Sequence, residues 1–144
     1  MTKEALWWTA PAEADNGRTI MVTGRKDVDK FRQNPRFNIR VEIIWKYQGD
    51  SSGMPDQNNA EMMDRVTSLL EDTFSKDPVA VLTGIFTGDD ERDWIFYTLS
   101  THIFGKKLNE ALASLPLLPL EISAENDPGW EQYEEMKQAE IQLD

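Results

Sequence analysis

Apolar and polar residues alternate most cleanly in Asn38 to Gln48, NIRVEIIWKYQ. Ile39, Val41, Ile43, Trp45 and Tyr47 fall on one side, and Arg40, Glu42, Ile44 and Lys46 on the other. This period of two predicts a strand with one buried face. The period then lengthens. Met62 or Met63, Val66, Leu69, Leu70 and Phe74 recur at helical spacing, which predicts a helix laid on a core. Asn58 with Glu61 reads as its capping pair, and Lys76-Asp77-Pro78 as its end. VAVLTGIFTG, from Val79, is apolar and β-branched almost throughout and predicts a strand covered on both faces. TGDDERD reads as a turn and DWIFYTLS as the next strand, with Trp94, Phe96 and Thr98 opposite Ile95, Tyr97 and Leu99. Phe104, Leu108, Ala111, Leu112 and Leu115 predict a second long helix closed by Pro116. PLEISAE follows as a strand with Leu120, Ile122 and Ala124 inward and Glu121, Ser123 and Glu125 outward.

The two ends add smaller elements. EALWWTAP and RTIMVTGR read as short strands, and Asp15-Asn16-Gly17 between them is hairpin chemistry, because Asn and Gly tolerate positive φ. DVDKFRQNP is a turn or two of helix stopped by Asn34-Pro35. From Asn38 the order is β-α-β-β-α-β. The simplest closure is an α+β, ferredoxin-like antiparallel sheet with both helices on one face. Right-handed crossovers then order its strands fourth, first, third, second. The organisation expected is one domain over 1–144: an N-terminal hairpin and short helix in 1–37, the βαββαβ core in 38–125 and a C-terminal helix in 126–144. The hairpin would lie on a sheet edge or over the open face.

Composition narrows the chemistry. The chain has no cysteine, which removes disulfides, thiolate metal sites and cysteine nucleophiles. No apolar run reaches the roughly 18–20 residues needed to span a bilayer, so a soluble, cytoplasmic, non-membrane protein is expected. The formal net charge is -11. That field repels phosphate backbones and makes nucleic acid an unfavourable partner. It favours a basic protein partner, or serves solubility alone.

Opposite the helices, the same alternation places Arg40, Glu42 and Lys46 from the first core strand beside Arg92, Trp94 and Phe96 from the third and Glu121, Ser123 and Glu125 from the fourth. Arg40, Glu42, Lys46, Arg92, Trp94, Glu121 and Glu125 are therefore the candidate binding face, with Trp94 as its floor. The simpler alternative is a cross-strand lattice of charges partly covered by Trp7 and Trp8, adding about 0.2–1 kcal/mol per pair. RNA-recognition modules share such a fold and stack bases on central-strand aromatics, but their basic, glycine-rich signature is missing here. His102 is the only histidine, and no Gly-x-Ser-x-Gly elbow accompanies it. Asp89, Asp90, Glu91 and Asp93 could offer oxygens to a hard cation, but without EF-hand spacing they read as an exposed turn. GDSSGMP lacks the Gly-Lys-Ser/Thr of a phosphate loop and reads as a mobile surface loop. No catalytic residue, metal or cofactor is assigned. In PGWEQYEEMKQAEIQ, Trp130, Tyr133 and Lys137 form a stripe beside Met136, with Asp127 as N-cap and Pro128 at the first helical position. The aromatics either pin this helix to the domain or dock on a partner.

LWWTAPAEADNGRTIMVTGRKDVDKFR, VEIIWKY, AVLTGIFTGDDERDWIFYT and LNEALASLPLLPLEISAENDPGWEQYEEM together resemble a widespread bacterial family, domain of unknown function 695, over nearly the whole chain. More remotely, Asp127-Pro128-Gly129-Trp130-Glu131-Gln132-Tyr133 is similar to the Asp-Pro-x-Trp-Glu-x-Tyr ending of the small acidic inhibitors of ribonuclease E, the regulator of ribonuclease activity B family. The first resemblance implies no activity. The second implies a non-enzymatic acidic regulator. The function expected is thus an uncharacterised, non-enzymatic acidic interaction or regulatory domain. The alternatives are a small-ligand-binding domain or an unrecognised hydrolase using the open sheet face. A second copy of the chain is a further partner for that face.

Overall fold

A computed structural model describes residues 7–141. They form an α+β fold of one six-stranded antiparallel sheet and four helices. The strands are β1 (Trp7–Glu13), β2 (Thr19–Arg25), β3 (Ile39–Lys46), β4 (Ala80–Gly88), β5 (Glu91–Thr98) and β6 (Leu120–Asn126). The helices are α1 (Asp29–Arg32), α2 (Gln57–Lys76), α3 (Thr101–Ala111) and α4 (Glu131–Ile141). Across the sheet the order is β1-β2-β4-β5-β3-β6, so the N-terminal hairpin extends the sheet beside β4 rather than lying over a face. The part of the first expected strand that precedes Trp7 lies outside the described residues.

Each face of the sheet has its own core. On one, α2 and α3 cover Val41, Ile43, Trp45, Leu82, Trp94 and Phe96 with Met63, Val66, Leu70, Phe74, Phe104 and Leu108. Phe74, Phe96 and Phe104 meet there with centroids 5.0–5.1 Å apart. On the other, α4 seals Trp8, Ala10, Val22, Val81 and Tyr97 beneath Trp130, Tyr133 and Met136. A helix approaches a sheet this closely only where side chains make room. A Cβ on Gly84 would lie 2.4 Å from Met136 Sδ, and one on Gly24 would lie 2.3 Å from the Trp8 ring. Glycine at both positions is what lets α4 and Trp8 settle.

Several local expectations change. The N-cap of α2 is Asp56, whose carboxylate accepts from the Asn59 N–H at 2.8 Å, not the Asn58–Glu61 pair. Pro55 precedes it, and Asp56 is the first residue in extended geometry able to take that role. α3 ends at Ala111, short of Pro116, and Ser100 caps its start. The turn after β4 is only Asp89-Asp90, both at positive φ (53° and 69°), which suits the twist of a two-residue hairpin. Glu91 and Arg92 therefore belong to β5, which starts two residues before the expected Asp93. The loop from Gly49 to Pro55 is tied down: Asp90 N–H donates to Gly53 O, Gly49 N–H to Asp90 Oδ1 and the Tyr47 hydroxyl to Gly53 O. α4 begins at Glu131, so Pro128 is not its first residue. Asp127 still caps it, its two oxygens accepting from the Glu131 and Gln132 N–H groups. Trp130 bridges the two in the left-handed region, at φ 53°.

Candidate functional site

Register decides which side chains share a face. Ile43 pairs with Trp94, Val41 with Phe96 and Trp45 with Arg92. Paired residues of antiparallel strands point the same way. Arg92, Trp94 and Phe96 therefore lie on the α2–α3 side, which corrects the expected binding face. Trp94 is fully buried, and its Nε1–H donates to Thr67 Oγ1 on α2 at 2.8 Å. Arg92 pairs with Asp64 of α2 at 3.0 Å and donates to Thr87 Oγ1. Alternation separated the two sides of this strand correctly. It could not say which side meets the helices, because both are apolar enough.

The other five expected residues do share the opposite face. Arg40 sits opposite Glu125 and next to Glu42; it contacts Glu42 at 2.9 Å, Glu125 at 2.8 Å and Asp127 at 3.1 Å. Lys46 reaches Glu121 at 3.6 Å. This is the charge lattice considered as the simpler alternative. Trp7 and Trp8 do not cover it: both belong to β1, at the far edge of the sheet, with Trp7 packed toward α2's core and Trp8 toward α4. Asp127 anchors the inner end of the lattice. Burial opposes its charge, but hydrogen bonds from Tyr97, the Glu131 and Gln132 N–H groups and Arg40 together hold its carboxyl below the usual aspartate range. Tyr97 donates to it at 2.6 Å, and burial followed by that carboxylate pushes the phenol far up.

α4 covers this face only in part. Beyond its reach, between the hairpin loop and β5, lies a cleft of about 450 Å³. Its floor is Ile20, Phe86, Gly88, Glu91 and Asp93, and its rim is Ala14, Asp15, Asn16 and Asp89. Neighbouring strands place Asp93 between Phe86 and Ile44. Its Oδ1 is buried with no hydrogen-bond partner. Burial, then a hydrogen bond to the Glu91 side chain and the negative charge of Glu91, push the Asp93 carboxyl up to about 8. At neutral pH the acid keeps its proton. Lys46 stands opposite Glu91 on β3 and its charge partly offsets the upward push on Asp93, but its ion pair is with Glu121, and no lysine or arginine among the described residues pairs with Glu91 or Asp93. Arg18 is spent on the rim, at 3.4 Å from Asp89 and 3.2 Å from Asp90. Asn16 also donates to Asp89.

The sequence reading placed Glu91 and Asp93 only in a run of turn carboxylates. The run does not converge on a cation: Asp89 and Asp90 tie loops together, while Glu91 and Asp93 enter the cleft. Among the described residues no group of three or more His, Cys, Asp or Glu side chains is arranged to hold a metal ion. His102 is exposed on α3, away from this cleft. A clue to the pair was present in the sequence. Glu91 and Asp93 are two apart, and a hairpin with a two-residue turn makes such residues share one face.

A family model described as Family of unknown function (DUF695) matches residues 7–136. The chain belongs to this family. The DUF695 match spans the hairpin, both cores and α4 as far as Met136, so it includes every residue of the cleft. No curated protein sequence matches. Among solved structures, the chain is similar to a conserved hypothetical protein from Aquifex aeolicus, at 12% identity and a TM-score of 0.28. The match covers 96% of this chain and spans 60% of that protein's chain. No helix among the described residues is long and apolar enough to cross a membrane.

Proposed function

We propose that this DUF695 protein is a non-enzymatic interaction module whose acidic cleft receives a cationic group from a basic partner protein. The observation that carries the reading is the Glu91–Asp93 pair: two adjacent carboxyl groups in a concave site, with neither in an ion pair although Lys46 stands opposite Glu91 on β3. Ile20 and Phe86 would line the aliphatic stem of a lysine or arginine while the carboxyl groups met its head. The net charge of -11 would steer such a partner and make association salt-dependent. The order β6-β3-β5-β4, with α2 and α3 on one side, supports treating that part as a ferredoxin-like scaffold. A cysteine-free bacterial protein of the cytoplasm accords with the same reading.

The cleft volume also favours a small cationic ligand, such as a diamine, as the second reading, because sites of roughly 300–1,000 Å³ suit such molecules. Titration calorimetry with a lysine-rich peptide and with putrescine separates the two. Peptide binding weakened severalfold by Glu91→Gln, and less by the charge-matched Glu110→Gln on α3, is the expected result. Equal weakening by both variants would reduce the cleft to general charge attraction. Binding of putrescine with no binding of peptide would establish the second reading.

A further inference from the structure

The sheet has two edges of different character. β1, at one end, carries Pro11, which has no N–H to offer a new strand. β6, at the other, has no proline over its seven residues and pairs only with β3. From Glu121 to Asn126 every residue is exposed. Ile122 points to the α2–α3 side, yet it remains 55% exposed, because the helices stop short of the edge. Leu117, just before the strand, is fully exposed as well.

We infer that the β6 edge accepts, as a seventh strand, an extended segment of a partner protein in which basic and apolar residues alternate. A strand added to an edge gains main-chain hydrogen bonds, and its alternate side chains read the two faces. On the acidic face it meets Ser123 and the outer sides of Glu121 and Glu125, which reach Lys46 and Arg40 yet stay 64% and 70% exposed; on the other it meets Leu120, Ile122 and Ala124. Basic residues match the first row and apolar residues the second. A second copy of the chain fits worse. Two-fold pairing centred on Ser123 sets Glu121 opposite Glu125, and any pairing of copies joins two chains each carrying -11. The inference rests on the basic partner proposed above but uses a surface separated from the cleft by β3.

The test uses the full chain and a fluorescent peptide of alternating Lys and Val, with a block peptide of the same composition as control. Anisotropy gives affinity, and amide exchange read by NMR locates the contact. The expected result is new protection at β6 amides, affinity for the alternating peptide at least tenfold above the block peptide, and a tenfold loss in Ile122→Lys. Glu110→Gln, on α3 and away from the edge, should move this affinity by less than twofold. Ile122 is exposed, so its substitution leaves the cores intact, and far-UV circular dichroism checks this. Equal binding of the two peptides, or loss in Glu91→Gln but not in Ile122→Lys, overturns the edge inference and leaves the cleft reading standing. A wild-type dimer by light scattering that Ile122→Lys dissociates also overturns it, assigning the edge to a second copy.

Discussion

Asp93→Asn tests the cleft through the stability of the fold. In the unfolded chain Asp93 titrates near the ordinary aspartate value of about 3.9. In the fold its carboxyl is pushed up to about 8 by burial and by Glu91. Between those values the native state holds a proton that the unfolded state has released. Stability therefore falls as pH rises through this window, with a slope that approaches about 1.4 kcal/mol per pH unit for one proton. From about pH 5.5 to about pH 7.5 the upper bound is roughly 2.7 kcal/mol, and partial ionisation near pH 7.5 with solvent screening brings the working figure to about 1–2 kcal/mol. Asn keeps the shape and the donor toward Glu91 but does not ionise in either state. The variant should thus gain on the wild type as pH rises, and the gap should level off above about pH 8. At about 3–4 °C per kcal/mol for a domain of this size, Tm should separate by roughly 3–8 °C between the two pH values. Thermal melts by circular dichroism across that range measure it. A gap that stays constant, or narrows with rising pH, would show that Asp93 does not hold an extra proton in the fold.

Four further outcomes follow from the same structure. Trp130 is buried, stacks on Tyr97 at 4.1 Å and donates to Phe37 O at 2.8 Å; Trp130→Ala should cost about 3–5 kcal/mol in urea unfolding, and an unchanged midpoint would make the ring a partner contact instead. Asp127→Ala should cost about 3–5 kcal/mol, because it removes the cap of α4 and strands the Tyr97 hydroxyl and the inner bond of Arg40. The Asp127 carboxyl is depressed, so its contribution is present above the unfolded value of about 4 and lost as pH falls below it; acid titrations of wild type and Asp127→Asn should converge there. Finally, a cation entering the cleft should lower the Asp93 pKa and expel its proton. Calorimetry near pH 7 in buffers of different ionisation heat should show proton release on peptide binding, absent in Asp93→Asn.

Much of the architecture is legible in local pattern. β3 alternates because one side meets a core and the other a charge lattice, and Ile39 to Trp45 show this without coordinates. β4 reads as doubly covered because α2 packs on one of its sides and α4 on the other, and its first five residues are buried. Trp130 and Tyr133 were readable as anchors of α4, since two aromatics among carboxylates at helical spacing need an apolar surface to rest on. α4 itself is a weaker pattern, and its start was misplaced. The left-handed Trp130 lets Asp127 cap the helix from four residues upstream, a geometry that spacing rules do not contain.

The sequence by itself determined the element types and the acidic balance, and offered the charge lattice as one of two readings of the face shared by Arg40, Lys46 and the carboxylates of β6. Only the tertiary structure decided where Trp94 and Arg92 went, and that Glu91 and Asp93 would meet in a cleft. The physical reason is the same in both cases. A strand with apolar residues on both sides carries two equivalent face assignments, and burial energy within the strand does not distinguish them. The register against β3 does, by setting Trp94 beside Ile43 under α2 and Asp93 beside Ile44 on the face that α4 leaves open.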